Sequence, residues 1–292
     1  MSHLVPRVDS LLHLRFHSQP ELGPLGQTTL EIVAQTPPQR VIRAFPLPDG
    51  SALAHLHNIS GGVLGGDALA LRVSVDANAR AQLTTPGATR LYRHRPGLPD
   101  TCQQTQVEIG PGGLLEYLPD PLIPFAGARY RQSTRIHLGP DAGLFWWETL
   151  APGREAHNER FAYDQLEMTL EIYADDHHPI ALERYQLRPR ETPLPSLARL
   201  GTYLYHITFY ICRTGLPESD WLALEGELTS IAQEFTQPGV SLWGASALRS
   251  DGVVVRGLSA SHRSLPAQLT RFWQAAKYKL YGVNAIPPRK NY

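Results

Sequence analysis

The chain is poor in several features that mark common protein classes. Its 292 residues include only two cysteines, Cys102 and Cys212, far apart and without a C-x-x-C pair. That excludes a disulfide framework and a cysteine-built zinc site. Lysine plus arginine equals aspartate plus glutamate, 27 each, so no bulk field favours nucleic acid or a membrane surface. No run of eighteen apolar residues occurs, which leaves no candidate transmembrane span. Leu11 and Leu12 are interrupted by His13, Arg15 and His17, so no apolar signal core precedes the body, and a cytosolic location is expected. Nucleophile-elbow and H-E-x-x-H patterns are both missing. The glycine-rich stretch 60–67, Ser-Gly-Gly-Val-Leu-Gly-Gly-Asp, continues with Asp67 and Ala68 where a phosphate-binding loop needs Lys and Ser or Thr. A nucleotide site is therefore not expected there.

Turn formers are abundant: 24 glycines and 25 prolines. They punctuate short segments of β character at 28–33, 41–45, 53–59, 69–75, 81–85, 105–109, 114–118, 134–138 and 144–150, followed by clean alternation through Leu166, Met168, Leu170 and Ile172. Residues 28–190 thus read as many short strands joined by tight turns, an all-β sandwich, barrel or solenoid. The texture changes after Pro195. Residues 196–212 suit helix or strand. Trp221, Leu224, Leu228, Ile231 and Phe235 recur at helical spacing, with Ser219 as the expected N-cap and Pro238-Gly239 as the end. A hairpin is expected at 243–248 and 253–258, and a last helix over 265–280 between Ser264 and Gly282. The reading is one β-rich domain over 1–292 with a small helical subdomain around 196–237.

Several residues carry chemical interest. Gly61, Gly62, Gly65 and Gly66 fit a sharp turn packed closely under another segment. His55 and His57 share a strand face and make an incomplete metal site that needs a third ligand such as Asp67. His177 and His178 follow Asp175 and Asp176 in a polar turn open to a metal reading. Glu148 follows Trp146 and Trp147, and Asp120 precedes a proline-rich loop. A carboxylate among aromatics is one half of a glycosidase pair, yet Trp beside Glu on a strand more often means one core and one surface residue. Arg154, Glu155, Glu159 and Arg160 form a dense charged loop, either a solvated turn or a partner-binding one.

Taken in order, five motifs resemble one family, the urease accessory protein D family. They are Gly61-Gly62-Val-Leu-Gly65-Gly66-Asp67; Thr84-Thr85 with Ala88-Thr89 and Tyr92-Arg93; Leu115-Glu116-Tyr-Leu-Pro119 with Phe125, Ala128-Arg129 and Ser133-Thr-Arg135; Gly153-Arg154 with Glu159 and Phe161; and 273–282 with Pro288-Arg289. The match spans about 55–292. Asn158 departs from it, since the family usually has glycine before that glutamate.

The resemblance implies an all-β, β-helix-like (solenoid-like) arrangement with two to three helices in the last third. It implies a non-catalytic metallochaperone scaffold with no tightly bound cofactor. It would bind accessory protein F, which recruits the GTPase accessory protein G, and would itself dock on apo-urease; nickel would pass transiently through an internal passage. Borderline nickel accepts oxygen and nitrogen donors. Asp67, Thr84, Thr85, Glu116 and Glu183 are the passage candidates, with capping of the glycine turn as the other role for Asp67. Arg154, Glu159, Trp221, Phe235, Trp273, Tyr278 and Arg289 are the partner-binding candidates, although apolar helix stripes ordinarily face inward. Two other readings compete: a β-solenoid carbohydrate-active enzyme using paired carboxylates, and an interaction module with no metal path.

Overall fold

The computed structural model describes residues 8–19, 21, 27–174 and 178–288. Arg289 and the Asp175, Asp176 and His177 positions lie outside the described residues. The first strands are β1 (Ser10–Gln19), β2 (Gln27–Gln35), β3 (Gln39–Arg40), β4 (Ala44–Pro46), β5 (Ala52–His55) and β6 (His57–Asn58). The middle of the chain forms β7 (Ala68–Val75), β8 (Arg80–Thr84), β9 (Thr89–Leu91), β10 (Thr101–Ile109), β11 (Leu114–Tyr117), β12 (Leu122–Pro124), β13 (Arg129–Leu138) and β14 (Gly143–Leu150). The last third holds β15 (Gln165–Ala174), β16 (Pro179–Leu187), β17 (Tyr205–Arg213), α1 (Glu218–Phe235), β18 (Ser241–Ala247), β19 (Gly252–Ser259) and α2 (Leu265–Tyr281).

Two sheets result. One has seven strands in the order β16-β15-β13-β10-β7-β1-β2; the other has ten, along β18-β19-β17-β14-β11-β8-β5-β4 with β12 and β9 branching off. Neither closes into a barrel. From β5 to β15 the chain crosses back and forth between the sheets. Each pair of crossings adds one parallel strand to each: β7, β10, β13 and β15 on one side, β5, β8, β11 and β14 on the other. Tight turns make the crossings, as the glycine and proline spacing requires. The fold is strand-rich, with strand at 46% and helix at 14%.

Three clusters fill the interior. Between the sheets lie Leu12, Leu14, Phe16, Val73, Val75, Leu115, Ile136, Leu144 and Trp146. On the far face of the ten-stranded sheet, α1 and α2 cover Phe145, Trp147, Ile207, Phe209 and Val255. A third cluster near one end gathers Val63, Leu91, Tyr130, Tyr163 and Leu166. Because β14 is buried on both faces, its sequence lacks apolar–polar alternation and reads as a continuous apolar run.

The structure departs from the sequence reading in places. Residues 10–19 form a strand that the polar start concealed: Leu12, Leu14 and Phe16 point inward, while His13, Arg15 and His17 stay on the outer face. At 41–45 only Ala44–Pro46 is strand. Helix α1 starts at Glu218 after Pro217, not after Ser219, because proline's fixed φ already suits a helix entry. Ser264 does precede α2 but makes no side-chain cap bond, and Gly282 ends it at φ 65°. Within 196–237 only Glu218–Phe235 is helical; Tyr205–Arg213 is a central strand between β14 and β19.

Candidate functional site

Along the space between the sheets, inward positions change character. At one end they are Phe16, Val75, Ile136 and Leu144; two to four residues along the same strand faces they become Gln103, Tyr117, Gln132, Glu148, His206 and Thr208. Strand alternation puts Trp146 and Glu148 on the same inner face and sends Trp147 to the helices. Glu148 is therefore an inward carboxylate, not the surface half of a Trp–Glu pair.

Three cavities lie in series here. The first, about 350 Å³, lies beside the glycine turn and is lined in part by His57, Gly61, Gly62, Thr85 and Arg90. It shares Thr89, Gln103 and Tyr117 with a narrow middle cavity of about 60 Å³ that holds Glu148, Gln132 and Tyr130. That cavity shares Leu150, Tyr185 and His206 with a third, about 500 Å³, which adds Glu183, Arg256, Leu242 and Trp243. The middle cavity has room for a few waters or an ion but not for a sugar ring.

Electrostatics single out Glu148. Burial pushes its carboxyl up to about 7, the hydrogen bond from the Gln132 amide (2.6 Å) offsets only part of that, and the charge of Glu183 adds to the rise. The Tyr117, Tyr130 and Tyr185 phenols are raised by burial and stay protonated. Tyr130 lies 3.1 Å from both the Gln103 and Gln132 side-chain oxygens. Burial lowers His206, with Glu183 opposing, so its imidazole is neutral at pH 7 and can offer a nitrogen lone pair. Glu183 accepts from the Tyr210 hydroxyl at 2.8 Å and from Arg256 at 3.1 Å, tying the seven-stranded sheet to the ten-stranded one.

The sequence candidates are dispersed. Thr85 lines the first cavity and its hydroxyl accepts the Asp120 N–H; Glu183 lines the third. Asp67 accepts the Leu64 N–H at 2.8 Å and closes the glycine turn. Thr84 is fully buried, donates to the Leu118 carbonyl and lines none of the three cavities. Glu116 is fully buried beneath α2. It accepts from Trp273 Nε1 (2.9 Å) and Gln82 Nε2 (3.0 Å) and pairs with Lys277 at 3.0 Å, which also meets Asp49 at 3.2 Å. Trp221 and Trp273 are core residues, Phe235 packs edge-on against Phe272, and Tyr278 is 64% exposed. Arg154 and Glu159 pair with each other, and Arg154 lies over the Phe125 ring. His55 and His57 have rings 6.4 Å apart, and among the described residues no three His, Cys, Asp or Glu side chains gather as a metal site. Gln132, His206 and the three tyrosines carried no sequence signal, because only the pairing of distant strands assembles them.

A family model described as UreD urease accessory protein matches residues 9–292. The chain belongs to the UreD family. Proteins named urease accessory protein UreD from Herpetosiphon aurantiacus, Deinococcus radiodurans and Pseudomonas aeruginosa are similar to it. The first is 47% identical over 266 residues, covering 91% of this chain and 92% of the relative. The second is 32% identical over 269 residues (91% and 90%), and the third 32% over 287 residues (96% of each). Asn158 sits at φ 57°, ψ 28°, where glycine is free and asparagine is the best tolerated of the other residues. No described helix of this UreD chain is long and apolar enough to cross a membrane.

Proposed function

We propose that this UreD-family chain is a non-catalytic scaffold of urease maturation that bridges accessory proteins F and G to apo-urease and lends nickel an internal route. The carrying observation is the series of three cavities with shared lining residues, narrowing at Glu148. The donors along it are carboxylate, imidazole, amide and phenol groups, never a thiolate cage. Such sites hold a borderline divalent cation briefly and release it. The Glu148 carboxyl, titrating near neutrality, is charged often enough to attract the cation without holding it permanently. Glu183 and Thr85 stand toward the two ends of the route. The alternating crossings between sheets support the β-helix-like reading of the frame around the route. The narrow middle cavity speaks against the carbohydrate-enzyme reading.

The test is co-expression of Glu148→Gln with urease subunits and accessory proteins F and G. Pull-down of the complex is expected to be unchanged, while nickel per urease active site and specific activity fall several-fold. Normal nickel loading in an intact complex would remove Glu148 and the route through it. An interaction module without a metal path predicts that normal loading.

A further inference from the structure

The glycine turn and the segment that follows β8 make one unit. A Cβ at Gly62 would lie 2.6 Å from the Arg90 carbonyl oxygen, and one at Gly65 would lie 2.7 Å from that of Arg93. Val63 N–H donates to the Arg90 carbonyl at 2.8 Å, and Tyr92 N–H donates to that of Val63 at 2.9 Å. The segment thus lies flat on a bed without side chains, and Arg90, Arg93 and Arg95 project from it, all exposed. Between Asp76 and Asp100 the chain contains no acidic residue. Among the described residues Arg90 and Arg93 hydrogen-bond only to carbonyl oxygens, of Gly61 and Ala126, each at 3.4 Å. Among the described residues none of the three arginines is ion-paired, whereas nearby Arg129 and Arg154 are matched by Asp100 and Glu159.

The Arg90 end of this strip stands where the first cavity meets the surface, since Arg90, Gly61 and Pro86 are exposed and form part of its lining. Unmatched guanidinium groups there repel a free divalent cation and attract carboxylates. We infer that Arg90, Arg93 and Arg95 form a docking strip for an acidic face of a partner protein, and that the seated partner, by neutralising them, admits the cation to the cavity. The second half rests on the passage reading above. Protein is favoured over nucleic acid because the strip is short, the chain's net charge is zero, and Tyr92 is engaged edge-on with Phe125 instead of offering a stacking face.

The experiment compares the full chain, R90E/R93E/R95E and R90K/R93K/R95K for binding to immobilised apo-urease and to accessory protein F, from about 50 to 400 mM NaCl, a range that shortens the screening length several-fold. Wild-type binding to one of the two is expected to weaken steeply with salt. The glutamate variant should bind that partner at least about tenfold more weakly, and the lysine variant within about threefold of wild type, with thermal midpoints unchanged. Should the triple glutamate variant fail to fold, Arg95→Glu alone serves. Glutamate and wild-type chains binding both partners alike would overturn the inference. So would equal weakening by lysine and glutamate, or co-purifying nucleic acid that the reversal strips while protein binding stays the same. Unimpaired docking of the triple glutamate variant, alongside a nickel defect in Glu148→Gln, would sink this inference and leave the passage standing.

Discussion

At the scale of single residues, two buried charges carry the clearest consequences. Lys277 and Glu116 are each 1% exposed, and Asp49 completes the group. Burial pushes the Asp49 carboxyl up, but the Ser51 hydroxyl and the Lys277 ammonium outweigh it and hold it below its usual range. Removing Lys277 strands two carboxylates under a helix, so Lys277→Met should cost about 3–5 kcal/mol in urea unfolding. Adding Glu116→Gln should recover part of that loss.

Glu148 behaves oppositely. With a folded pKa raised to about 7 against 4.5 unfolded, the native state binds the extra proton, so its contribution to stability declines as pH rises from about 4.5 to 7. Glu148→Gln should stabilise the isolated chain by about 2–3 kcal/mol at pH 8 and by almost nothing at pH 4.5, measured by urea unfolding at both. Glu159 has a depressed carboxyl, about 2, chiefly from the Arg154 hydrogen bond and also from the Ala126 N–H. Its stabilisation is complete above about 4.5 and lost as pH falls toward 2. Discounted for its partial exposure it is about 1 kcal/mol, and Glu159→Gln should flatten that acid limb.

At the scale of elements, the glycine turn and α2 are the pieces with least freedom. Gly62 has φ 155° and Gly65 has no space for a methyl group. Gly65→Ala must lift the 90–95 segment or break the turn, and a loss of about 1–3 kcal/mol is expected in thermal unfolding. Asn158→Val should cost about 1–2 kcal/mol, since a β-branched residue resists φ 57°, whereas Asn158→Gly should be close to neutral. Helix α2 is anchored through Phe272 and Trp273, both fully buried. Their place in the core also explains why aromatic residues at helical spacing are poor pointers to a partner surface.

At the scale of the whole molecule, parallel strands from the middle of the chain form the interior of both sheets, whose edges are β16 and β2 in the seven-stranded sheet and β18 and β4 in the ten-stranded one. Amides of β10 and β13 should be the slowest to exchange in the seven-stranded sheet, and those of the edge strand β2 the fastest, as hydrogen-exchange mass spectrometry can read. The same winding leaves a polar-lined space at one end of the sandwich. On that space the nickel reading depends.

Much of this was legible beforehand, for local reasons. Glycine and proline spacing marked most of the strands, since turn geometry is a property of a few adjacent residues. The period of Trp221, Leu224, Leu228 and Ile231 announced α1, and ordered motifs placed the chain among urease accessory proteins. What only the tertiary structure decided is where side chains meet. Glu148 owes its raised carboxyl to burial between the sheets, beside Gln132 of the facing sheet and His206 of the neighbouring strand β17. Glu116 turned out to be held by Lys277, 161 positions away. Burial and pairing set the energy of a charge, and both depend on which distant strands are brought together, a fact no window of adjacent residues contains.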